Sequence, residues 1–125
     1  MNFRGTGALA MAELTAEHGE LEKLMETTCR VLSEPSESGQ ALRAIRLLSR
    51  LVAWHFEDEE AMVASDDVLL DVLRSAHLEL SWLMDDLERS ADDHALRLRR
   101  FSIFASELRM HEAQVDEPIF LRMAA

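Results

Sequence analysis

The sequence predicts an all-α protein, an antiparallel four-helix bundle running up-down-up-down, and three observations carry that reading. Turn residues are scarce: four Gly and two Pro in 125 residues are too few for a sandwich, a barrel or a Gly-rich phosphate loop. Three short polar interruptions, Ser33 to Gly39, Ser65 to Asp67 and Ser90 to Asp93, divide the chain, and each can supply an N-cap to the next segment. Between them lie segments of about 22 to 26 residues rich in Leu, Ala, Glu, Met and Arg, whose apolar positions recur at alternating steps of three and four.

Residues 1-125 are expected to form one domain, with a short tail over 1-8. The first helix, starting near Leu9, has the inward stripe Met11, Leu14, His18, Leu21, Met25, Thr28 and Leu32. The second, from near Gln40, has Ile45, Leu48, Val52, His55, Glu59 and Met62. The third, from near Val68, has Leu70, Leu73, His77, Leu80, Met84 and Leu87. The fourth, from near Asp93, has Phe101, Phe104, Leu108, His111 and Val115. Four amphipathic helices with short connections close most simply as an up-down bundle.

Charge and cysteine usage exclude several classes. With 24 acidic against 13 basic residues the net charge is −11, so no cationic face is expected to recruit nucleic acid. The small basic cluster Arg97, Arg99 and Arg100 does not change that. The lone Cys29 forms neither an internal disulfide nor a cysteine metal cluster, and is expected as a packed thiol in a reducing, cytoplasmic compartment. No stretch reaches the roughly 20 apolar residues that span a bilayer, and Ala8 to Ala12 is too short for a signal core. No membrane partner is expected.

The polar exceptions on the apolar stripes carry the functional signal. His18, His55, Glu59, His77 and His111 all stand where Leu or Met would otherwise sit. At about 1.5 Å of rise per residue, His18 lies about 15 residues before its helix ends, and His55 about 15 after its own begins. His77 lies about 13 before the third helix ends, and His111 about 18 into the fourth. One level of the bundle therefore gathers four imidazoles and a carboxylate. A lone His on an apolar face is usually a hydrogen-bonded core residue, but Glu59 buried without a cation beside it is costly. Helical His and carboxylates aimed into a bundle are a way to build a two-metal site.

These residues resemble hemerythrin-like domains, also called HHE cation-binding domains, over essentially the whole chain. The run His55-Phe56-Glu57-Asp58-Glu59-Glu60-Ala61-Met62 is similar to the family's H-F-x-x-E-E-x-x-M, and His111 with Asp116 is similar to its H-x-x-x-x-D. His18 and His77 fall where the first and third helices supply their His. The resemblance implies a non-haem centre of two iron ions with an oxo or hydroxo bridge, other divalent metals being possible. His18 and His55 would hold one ion, His77 and His111 the other, and Glu59 and Asp116 would bridge both. It also implies dioxygen or another small oxidant as partner, for sensing, delivery or detoxification. A redox enzyme (an oxidase, a peroxidase or a nitric-oxide-handling protein) is the alternative use of the same site, and a metal-free helical interaction domain is the third reading.

The third-helix His pair is incomplete. Dioxygen-carrying members have two His four residues apart there, whereas this chain has Leu73 before His77 and Ser81 after it. That departure points away from reversible carriage. Asp116 lies five residues past His111, off the face that a regular helix would share with Val115. Pro118 makes a widened or broken last turn the expected way to swing Asp116 inward, with Glu117 as the fallback carboxylate.

The remaining candidates have quieter expectations. His94 should be a surface residue roughly 25 Å from the His111 level. Glu22 and Ser81 are expected at a solvated or core-rim position, Trp54 and Trp82 in the core, and Glu57, Asp58 and Glu60 on a solvated face around an inward Glu59.

Overall fold

Two aspartates start two of the helices. The Asp66 carboxylate accepts the Leu69 N–H at 3.1 Å, and the Asp93 carboxylate accepts the Leu96 N–H at 3.0 Å. Each thereby satisfies an amide that a helix start leaves without a partner. The computed structural model describes the backbone of residues 7–34 and 38–124, and side chains within 12–34 and 39–122. Its elements are α1 (Gly7–Ser33), α2 (Ser38–Met62), α3 (Asp67–Arg89), α4 (His94–His111), a π-helical segment (Glu112–Asp116) and α5 (Glu117–Ala124). Starts fall within two residues of the expected ones, and Gly7 and Ala8, expected in the tail, are already helical. The expected stripe residue Met11 has its side chain outside the described ones.

Each helix packs on the next and α4 closes against α1, which is the expected all-α antiparallel bundle. No strand occurs among the described residues, and no helix is long and apolar enough to cross a membrane. The fourth helix does not stop at its expected end. Glu112 and Glu117 keep right-handed helical dihedrals, so α4, the π segment and α5 form one continuous rod.

The buried apolar residues form two clusters. The larger runs from Leu21, Leu48 and Val52 to Leu80, Phe104 and Leu108. The smaller joins Leu14, Met62, Val63, Leu73, Ile119 and Phe120. Every seam His is bracketed by them: His18 follows Leu14 and precedes Leu21, and His77 follows Leu73 and precedes Leu80. A polar belt is thus sealed between two dry layers, where an unmatched charge costs most.

Three expectations about packing are corrected. Trp54 and Trp82 are 40% and 60% exposed, because their helical phase places them outside the seam rather than in it. Cys29 is exposed, not packed. Arg97 is buried at 2% exposure instead of joining a surface cluster. Its guanidinium donates to the Ala91 carbonyl at 2.9 Å and the Glu34 carbonyl at 3.2 Å, tying together two helix ends whose carbonyls lack helical partners.

Candidate metal centre

The local helix geometry places each polar seam residue. On α2, His55 and Glu59 are four residues apart and face the same way, with Nε2 and Oε1 3.6 Å apart. His18 from α1, His77 from α3 and His111 from α4 approach Glu59 from the other three sides. Their Nε2 atoms lie 3.9, 3.0 and 3.7 Å from its carboxylate oxygens. Glu59 is fully buried, and His55, His77 and His111 are nearly so. The expected common level of the four rings is what the structure has.

Asp116 joins them through the π segment. Pro118 has no N–H to give the Gln114 carbonyl, and its ring crowds that carbonyl. The Glu117 N–H bonds instead to the Glu112 carbonyl five residues back. One wide turn then takes about five residues, which returns Asp116 to the face of His111. Its carboxylate is fully buried, 2.8 Å from His111 Nε2 and 3.2 Å from His18 Nε2. Val115 is only half-buried and Glu117 is exposed, so Glu117 is not the inward carboxylate.

The six residues form two interlocked groups, each capable of holding a cation: His18, His55, Glu59 and Asp116, and Glu59, His77, His111 and Asp116. Within each group the donor atoms lie within 4.8 Å of one another. Two donors each about 2.1 Å from one ion sit about 3.0 Å apart at a right angle and about 3.4 Å apart at a tetrahedral one. The separations of 2.8, 3.0 and 3.2 Å are close to such edges, whereas those of 3.6 to 3.9 Å are wider than a tetrahedral one.

Hydrogen bonding behind the rings supports the same conclusion. His55 Nδ1–H donates to Glu17 at 2.7 Å and His77 Nδ1–H to Glu60 at 2.8 Å. With those protons outside, each Nε2 lone pair turns inward, as metal-binding imidazoles require. His18 Nδ1 faces Glu112 at 3.3 Å. Inside the ring of donors the polar atoms are orphaned: His18, His55 and His111 Nε2, Glu59 Oε2 and both Asp116 oxygens are buried without a hydrogen bond among the described residues. His111 Nε2 and Asp116 Oδ1 are close enough to bond but do not point at each other. Lone pairs that converge on a point rather than on one another suit a cation at that point.

Proton affinities follow from this burial. Desolvation lowers His55 to about 3, helped by the charge on His18. It lowers His77 to about 4 against the Glu60 hydrogen bond. Both rings are therefore neutral donors at ordinary pH. Burial also works against the charged form of His18, but Asp116 and Glu59 outweigh it and raise the ring to about 10. Burial likewise pushes Glu59 well above the usual carboxylate range, against the pull of His18. For Asp116 burial acts upward, yet the His111 and His18 rings close beside it hold it below that range.

The carboxylates behind the rings were not anticipated. Asp58 is buried and Glu60 is bonded to His77, so the acidic run does not divide into one inward and three solvated residues. Four successive helical residues sweep the whole circumference: Asp58 turns toward α1 and Glu17, Glu60 toward α3, and Glu57 alone is exposed. The available signal was adjacency, since Glu17 and Glu60 each neighbour a seam residue, but 24 acidic residues make adjacency common. The others behave as expected: His94 is exposed, Glu22 pairs with Arg109 at 2.7 Å on the surface, and Ser81 donates to the His77 carbonyl.

A family model described as the hemerythrin HHE cation binding domain covers residues 9–122, the span that contains all six cluster residues. No curated protein and no solved structure matches the chain.

Proposed function

This chain belongs to the hemerythrin HHE cation-binding domain family, and from that membership we propose that it carries a di-iron centre binding dioxygen or a related small oxidant, for sensing, delivery or detoxification. The observation that carries the reading is the pair of interlocked groups sharing Glu59 and Asp116. His18 and His55 would hold one ion and His77 and His111 the second, with Glu59 and Asp116 available to both. Iron in such a site supplies electrons to an oxidant and a position at which it binds.

The protein residues do the rest. Glu17 and Glu60 fix the tautomers of His55 and His77 by accepting their outer protons. Phe56 stacks on the His77 ring at 3.9 Å and Phe120 on the His18 ring at 5.5 Å, holding ring angles and keeping water from the belt. The π segment positions Asp116. Cys29, a free thiol, suits a reducing cytoplasmic setting.

A second reading, a redox enzyme using the same centre, is favoured by Leu73. It is buried at 1% exposure in the apolar layer one turn from His77, and so gives the His77/His111 half no further nitrogen donor. Metal analysis of purified protein with absorption spectra in the presence and absence of dioxygen tests both. Two irons per chain and the charge-transfer band of a bridged pair are expected. A folded protein that takes up no transition metal under reducing reconstitution overturns the proposal. Turnover of peroxide or nitric oxide with an added electron donor selects the enzyme.

A further inference from the structure

Of the four rings, His18 stands nearest to solvent. Its side chain is 14% exposed, against 1%, 5% and 4% for His55, His77 and His111. The carboxylate behind it also differs from the other two. Glu17 is committed to His55 and Asp58, and Glu60 to His77 and Arg74. Glu112 sets Oε2 3.3 Å from His18 Nδ1, while its Oε1 is buried without a hydrogen-bond partner among the described residues. A buried carboxylate oxygen left without a donor is costly, and a ligand that takes it up relieves the cost.

The His18 ring separates Glu112 from the two inner carboxylates. Its Nδ1 edge faces Glu112, and its Nε2 faces Asp116 Oδ2 at 3.2 Å and Glu59 Oε2 at 3.9 Å. That Nε2 makes no hydrogen bond, and Phe120 stacks against one face of the ring at 5.5 Å. Turning one ring therefore connects a carboxylate near the surface to the two fully buried ones.

The charge of the chain is gathered at the same end. Among the described residues, those on the metal side of the bundle's midplane (7–24, 49–83 and 105–124) include sixteen acidic and five basic ones, whereas the other half has seven of each. The half that holds the centre thus carries the net charge. A field of that sign draws cations in and raises their association rates by about 10–10³-fold.

We propose that divalent cations enter the centre past His18, and that Glu112 is the carboxylate that receives them first, ahead of Asp116 and Glu59. The proposal rests on the two-metal reading of the site, not on which metal fills it. Co²⁺, whose visible absorption reports binding, is mixed rapidly with the metal-free protein to measure association; transfer to excess chelator measures release. Glu112→Gln is expected to slow association and release alike, each at least about tenfold, with Co²⁺ per chain and affinity nearly unchanged. Glu57→Gln removes the same charge from an exposed position on α2, and should leave both rates within about twofold because solvent and salt screen it. Raising ionic strength from about 0.01 to about 0.15 M, which shortens the screening length from about 30 to about 8 Å, should slow wild-type association at least about fivefold.

Faster release with unchanged association in Glu112→Gln overturns the proposal, because Glu112 would then only support His18, as Glu17 and Glu60 support their rings. Equal slowing by Glu57→Gln overturns the special place of Glu112, and association indifferent to salt overturns the steering. Where Glu112→Gln does not fold, Glu112→Ala carries the same expectations. A folded wild-type protein that binds no Co²⁺ overturns the two-metal reading and the entry route together; binding at a rate indifferent to Glu112 overturns the route alone.

Discussion

Asp116 Oδ1 lies 2.8 Å from His111 Nε2, although the two residues are five apart and would diverge on a regular helix. The π turn that aligns them is maintained at Pro118, so the substitution Pro118→Ala separates fold from site. Ala restores an N–H for the Gln114 carbonyl and removes the ring clash, which is expected to favour a regular helix and raise metal-free stability by about 1 kcal/mol or more. Asp116 then turns off the His111 face, and metal per chain falls. A variant that melts higher and still binds two ions would show that the wide turn does not depend on Pro118.

Glu59 is the residue where stability and function oppose each other most directly. Without a cation its Oε1 shares a hydrogen bond with the inward Nε2 of His77 at 3.0 Å, which needs the proton that burial helps Glu59 to keep. Glu59→Gln supplies a permanent amide donor to that lone pair and removes the need to bury a carboxylate charge. The metal-free variant is expected to be more stable than the wild type by about 1–3 kcal/mol, read by thermal or denaturant unfolding, while metal occupancy drops. His55→Ala should likewise lose metal, and His94→Ala, at an exposed helix start, should not. Equal loss in the His94 variant would mean that the site lies elsewhere.

Glu60→Gln and Glu17→Gln remove the carboxylates that orient His77 and His55 without touching the inner donors. Metal affinity should fall by about 10–100-fold for each, with the number of ions at saturation unchanged. Competition with a chelator of known affinity measures this. A changed stoichiometry would instead make Glu60 or Glu17 a direct ligand.

Metal uptake should release acid. His18 is raised from 6.5 to about 10 in the metal-free fold: against burial, the Asp116 and Glu59 carboxylates hold its proton. Because the folded value is the higher one, protonated His18 stabilises the metal-free protein fully below about pH 6.5, and that contribution is lost as pH rises through about 10. A cation at His18 Nε2 displaces the same proton, so apparent affinity should increase with pH across this window. Loading at pH 7.5 in weak buffer with an indicator dye reads the proton directly; uptake without acidification would place His18 outside the centre.

Arg97→Ala is expected to destabilise the fold by about 2 kcal/mol or more, since it strands the Glu34 and Ala91 carbonyls at the end remote from the metal. Arg99→Ala, exposed on the same helix, should be near neutral, and neither should alter metal stoichiometry. Equal melting temperatures for the two variants would remove Arg97 from the fold's supports.

The sequence by itself determined the helices, their antiparallel order and the level at which His18, His55, Glu59, His77 and His111 meet. Those properties depend on periodicity and rise along a single chain, and a 3.6-residue repeat with caps expresses both. Pro118 even pointed to the widened turn before Asp116. The tertiary structure alone decided what stands behind each ring. Whether Glu17, Glu60 or Glu112 reaches an imidazole, whether Arg97 is buried and whether Trp54 and Trp82 stay outside depend on how neighbouring helices are rotated about their axes. A rotation of one residue, about 100°, exchanges a solvated carboxylate for a ring's partner. In a chain with this many acidic residues, only packing identifies which of them face the site.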